Sequence, residues 1–82
     1  MDKISLEQEY MDYLKRVNLS EERMTPVQKV ETKRAFMAGY GQSLAVMRDK
    51  VGAMSENEAI GCMEDMWEQV GKFWLKETGR AN

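Results

Sequence analysis

Histidine is absent from this 82-residue chain, and cysteine and proline each occur once. The missing imidazole removes the commonest general base and the commonest metal ligand. The lone Cys62 excludes an intrachain disulfide and suits a reducing compartment. Excess charge is missing too, since 12 basic residues stand against 14 acidic ones for a formal net charge of −2. Nucleic-acid binders concentrate a basic surplus on one face, and there is no surplus here to concentrate. The longest uncharged run, Ala35 to Met47, has thirteen residues, short of the roughly 20 that span a bilayer. The opening Met1-Asp2-Lys3-Ile4-Ser5 carries charge and then a helical pattern, unlike a signal peptide. The expectation is a cytoplasmic chain with no membrane segment and no nucleic-acid partner.

What is present suits a small globular protein. The chain is 43% hydrophobic and 32% charged, which separates it from disordered sequences. It reads as one domain over residues 1–82. A domain of this size buries only about 60% of the surface its unfolded chain exposes, so a second subunit or partner is expected.

Start and stop signals for helices are frequent, and no strand pattern or repeat competes with them. Ser5 with Gln8 forms a capping box before Leu6, Tyr10, Tyr13, Leu14 and Val17, and Asn18 suits a left-handed stop. Thr25-Pro26-Val27-Gln28 combines an N-cap, a first-turn proline and a capping-box Gln. Ser55 with Glu58 is a third start, and Gly79 a further stop. The spacing predicts an all-α fold with helices over about residues 6–17, 26–51 and 56–77. Only Gly52 to Ser55 separate the last two, which predicts a long antiparallel helical hairpin.

The faces of those helices carry the functional expectations. In the third helix Ala59, Ile60, Cys62, Met63, Met66, Trp67, Val70, Phe73 and Trp74 fall within an arc of roughly 160°, wider than one neighbour covers. The second helix has a stripe of Phe36, Met37, Tyr40, Leu44, Met47 and Val51, expected to face the third. On this reading Lys33 lies near Trp74, and Trp67 is a core residue whose truncation costs about 3–5 kcal/mol. The opposite side of the second helix is uncharged and small: Ala38, Gly39, Gln42, Ala45 and Val46. Such a side lets another backbone approach, so self-association as a dimer or higher oligomer is expected there, with Trp67 and Trp74 as further interface candidates. Gly39 and Gly41 each cost about 1 kcal/mol in a helix, which close packing or a kink would explain. Glycine also leaves room for a small ligand, nucleotide-like, beside Tyr40, Gly41 and Trp67.

Acidic groups offer a third possibility. Glu64, Asp65 and Glu68, and Glu9 with Asp12, stand three and four apart, a spacing that can hold Mg²⁺ between helices. Helical nucleotide pyrophosphohydrolases use comparable pairs. Here Glu64, Asp65 and Glu68 point away from the apolar arc, so a solvated acidic face is expected, with no metal, no cofactor and no catalytic residue. Lys29, Lys33 and Arg34 likewise read as solvated charge. The eight methionines read chiefly as core filler.

The segment Lys33-Arg34-Ala35-Phe36-Met37-Ala38-Gly39-Tyr40-Gly41 resembles short helical accessory proteins encoded by phages and prophages. The likeness covers about a third of the chain. It implies a protein that binds, and often inhibits, a host factor. The leading expectation is a non-enzymatic helical protein-interaction module. A nucleotide-like ligand binder and a metal-dependent nucleotide hydrolase are the alternatives.

Overall fold

A computed structural model describes residues 3–79, and these are all-α. Three α-helices, α1 (Leu6–Arg16), α2 (Pro26–Asp49) and α3 (Glu56–Thr78), are joined by short 3₁₀ turns at Glu21–Arg23 and Val51–Ala53. The chain divides into two compact units between Ser43 and Leu44.

Each α-helix starts where its cap stands. Gln8 N–H donates to Ser5 Oγ at 3.2 Å. Gln28 N–H donates to Thr25 Oγ1 and Thr25 N–H donates back to Gln28 Oε1, at 3.1 and 2.9 Å. Ser55 and Glu58 repeat the same reciprocal box. These bonds satisfy amide donors that a first helical turn leaves without partners.

The stops differ slightly from the pattern. Val17 caps α1 instead of ending it, and Asn18 takes φ 58°. Leu19 N–H then reaches Leu14 O at 2.8 Å and Asn18 N–H reaches Lys15 O at 3.1 Å. That paired closure is a Schellman motif with asparagine in the glycine position. The second helix was expected to reach Val51 but stops at Asp49, because the chain tightens into the 3₁₀ turn and buries Val51. A Cβ on Gly52 would stand 3.2 Å from the Met47 carbonyl oxygen, so this turn runs close to the end of α2. The third helix runs one residue past expectation, to Thr78, and closes on Gly79 at φ 67°.

In the first unit α1 packs on the start of α2. Tyr10 and Leu14 are 1% and 2% exposed and form its centre. The Phe36 ring lies 5.3 Å from Tyr10, 5.2 Å from Tyr13 and 5.6 Å from Tyr40, a continuous aromatic cluster. Phe36, expected on a stripe toward the third helix, has its ring contacts with Tyr10 and Tyr13 of α1 and with Tyr40 of its own helix. Tyr10 and Tyr13, one turn apart on α1, present their rings to Phe36. Lys33, expected near Trp74, has its ammonium against the Glu7 carboxylate at 2.6 Å and 5.6 Å from the Tyr10 ring centroid.

In the second unit, Val51 is the buried apolar residue among the described residues. On α3 only Ala59, Cys62 and Met66 are half-buried, and no residue of this helix is buried.

Candidate interaction surface

The third helix carries its largest side chains in water. Ile60, Met63, Trp67, Val70 and Trp74 follow one another at intervals of three, four, three and four residues. That spacing draws a straight seam along a helix. Exposure along the seam runs from 40% at Met63 to 72% at Trp67. Phe73, beside the seam, is exposed as well and packs edge-on against Trp74, with centroids 5.1 Å apart. The expectation of a core Trp67 is overturned by its exposure. The apolar arc is real, but the half-buried part is its Ala59, Cys62 and Met66 edge, while the aromatic edge stays open.

Along the length of α3 the charges are sorted. From Glu56 to Gly71 the helix has five acids and no cation, and Lys72 and Lys76 follow. Glu68 pairs with Lys72 at 3.4 Å, and Gln69 donates to Asp65 at 2.8 Å. Hydrogen bonds from the Ser55 hydroxyl region and backbone hold the Glu58 carboxyl below its usual range. Gly71 opens a groove of about 600 Å³ lined also by Glu68, Lys72, Trp74, Leu75 and Thr78. Edge rings, an apolar seam and a groove beside Trp74 can together receive another helix.

Of the other residues singled out from sequence, Ala38, Gly39 and Gln42 on α2 are exposed, while Ala45 and Val46 are half-buried. Neither Gly39 nor Gly41 has an atom within 4 Å of where a Cβ would stand, and α2 runs through both as one helix. Tyr40 is half-buried against Phe36, and Gly41 is exposed. Within the acidic groups Asp12 accepts from Gln8 at 2.9 Å and Asp65 from Gln69 at 2.8 Å, each on its own helix. Among the described residues no group of three or more His, Cys, Asp or Glu is placed to hold a metal ion. None of the described helices is long and apolar enough to cross a membrane.

Sequence reasoning missed one site in the first unit. Tyr10 is buried, and its hydroxyl has no hydrogen-bond partner among the described residues. Burial, with the Glu21 carboxylate adding to it, holds the phenol above its ordinary range. Its neighbour Lys33 is also raised, by the hydrogen bond to Glu7. Lys33 lines an open depression of about 430 Å³ with Glu21, Lys29, Val30, Arg34 and Met37. The amphipathic pattern placed the Tyr10 ring inside, but nothing in it marks a hydroxyl that lacks a partner.

No family model, curated protein or solved structure matches this chain.

Proposed function

We propose that this protein is a non-enzymatic interaction module that acts by binding protein through the α3 seam. One observation carries the reading: five apolar residues in helical register, including both tryptophans, stand in water. Fully burying a large apolar side chain is worth about 1.5–3 kcal/mol, so a partner that covers the seam gains several such terms at once. Tryptophan is also the residue type most enriched where binding energy concentrates. The likeness to short phage-encoded accessory proteins accords with this mode of action. The small-residue face of α2, through Ala38, Gly39 and Gln42, offers far less apolar area and ranks second as a contact surface.

Site-directed photo-crosslinking tests the reading. A benzophenone amino acid at position 67 of the full chain, irradiated in bacterial cells, is expected to give discrete protein adducts. The same group at position 65, across the helix, is expected to give few. Equal yields at the two positions, or none at either, refute the proposed surface.

A further inference from the structure

We infer that α2 carries a hinge at residues 39–43, a stretch where the helix opens locally while the packing on either side of it holds. The first ground is cover. Gly41, Gln42, Ser43 and Leu44 are all exposed. Four consecutive residues make a full helical turn, so no side of α2 is covered there. Helices in proteins owe most of their stability to a packed face, and this turn has none. The division between the two compact units falls at the same place, between Ser43 and Leu44. Before it, Phe36 is held by the rings of Tyr10 and Tyr13. After it, Ala45 and Val46 are half-buried and Val51 is buried.

The second ground is composition. Gly39 and Gly41 are both interior to α2, where glycine gives up more backbone freedom than any other residue. Neither meets an atom within 4 Å of a Cβ position, so close packing within the chain does not offset that loss. Gly61 and Gly71 of α3 are equally open, but each stands alone on its stretch of helix. In α2 the two glycines are separated by Tyr40 alone.

The third ground is bonding. Ser43 Oγ donates to the Gly39 carbonyl at 3.0 Å. The helix already assigns that carbonyl to the Ser43 amide, and such back-bonding weakens and bends helices. Glycine with serine is one of the pairings at which helices kink. Between Arg34 and Arg48 the helix has no charged residue, so no ion pair one turn apart can brace the stretch. Opening there uncouples the unit that bears the α3 seam from the unit that bears the aromatic cluster, whatever the seam binds.

Residue-resolved amide hydrogen exchange of the full chain tests the hinge. Protection at residues 41–46, corrected for intrinsic rates, is expected to be about tenfold or more below that at residues 32–37 of α2 and 62–66 of α3. Low urea should leave exchange at residues 41–46 nearly unchanged, because a local opening exposes little surface. Gly39→Ala and Gly41→Ala should each slow that exchange about fivefold, and about 30-fold together, the difference between glycine and alanine in a helix interior. Ser43→Ala should slow it about twofold, by helix propensity and loss of the back-bond.

Protection at residues 41–46 equal to that at residues 32–37 overturns the hinge. Exchange at residues 41–46 and 62–66 with one rate and one urea dependence overturns it in favour of unfolding of the whole second unit. Protection at residues 41–46 that rises with protein concentration assigns the two glycines to a contact between copies of the chain and overturns it too. Alanine variants of normal helicity that leave the exchange of this stretch unchanged do the same.

Discussion

Removing one oxygen atom from the middle of the first unit should make it more stable. Tyr10 is 1% exposed, and its ring touches Tyr13 and Phe36 while Lys33 stands over its face. All of those contacts belong to the ring and survive in Tyr10→Phe. The hydroxyl contributes none of them. Burying a polar group without a partner costs about 1–3 kcal/mol, and relieving that cost is the gain expected of the variant. A slightly weaker attraction of phenylalanine for the Lys33 ammonium offsets part of it, so a net gain of about 1 kcal/mol is the working figure. In a chain of 60–100 residues this raises the melting temperature by about 4–8 °C.

Circular dichroism at neutral pH measures the shift, and alkaline melts supply an independent reading. Burial raises the phenol above its ordinary value of 10.0, so above pH 10 the unfolded chain loses its proton first. The unfolded state then binds fewer protons than the folded one, and stability falls as pH rises. The parent should lose this contribution between pH 10 and the raised folded value, and Tyr10→Phe should not. A Tyr10→Phe variant less stable than the parent by 1 kcal/mol or more would mean that the hydroxyl is bonded, and the reasoning would fail.

Further outcomes follow from exposure and capping. Ser55→Ala should destabilise α3 by about 0.5–2 kcal/mol, seen as lost helicity and earlier melting. Glu58 is held below its usual range by Ser55, so the capping contribution is present above the unfolded carboxylate value of 4.5 and lost as pH falls through the folded one. An acid titration of helicity should therefore be steeper in the parent than in Ser55→Ala. Gly61→Ala meets no atom within 4 Å and should stabilise α3 by about 1 kcal/mol, read from urea unfolding. At low micromolar concentration Trp67→Ala should move the melting temperature by no more than about 2–4 °C, within the range of ordinary surface changes.

How much of this was legible in the sequence depends on distance along the chain. Helix starts rest on partners three residues apart, so Ser5, Thr25 and Ser55 could be read directly, and Asn18 marked its turn for the same reason. Periodicity also identified which side of α3 is apolar. It says nothing about what covers that side. The Phe36 stripe and the α3 arc are both apolar, and their periodicity alone does not name the partner of either. The rings of Tyr10 and Tyr13 lie against Phe36, and Trp67 stands in water. Size and register alone place Trp67 in a core. An interface residue has the same size and the same register as a core residue, so sequence pattern alone does not separate them. Lys33 fails for a related reason: its partner Glu7 lies on another helix, where no local spacing rule reaches.

The placement of the aromatic rings has a spectroscopic consequence. All three tyrosines, Tyr10, Tyr13 and Tyr40, lie before Ser43, and both tryptophans lie on the α3 seam. The two intrinsic chromophores are thus sorted between the two compact units. Excitation at the red edge, which selects indole, reports the seam alone, and tyrosine absorbance reports the cluster around Phe36. Covering Trp67 should shift indole emission to the blue while leaving the tyrosine signal in place. Melting of the first unit should do the reverse. Two events that would overlap in one trace can be followed separately in a single unlabelled sample.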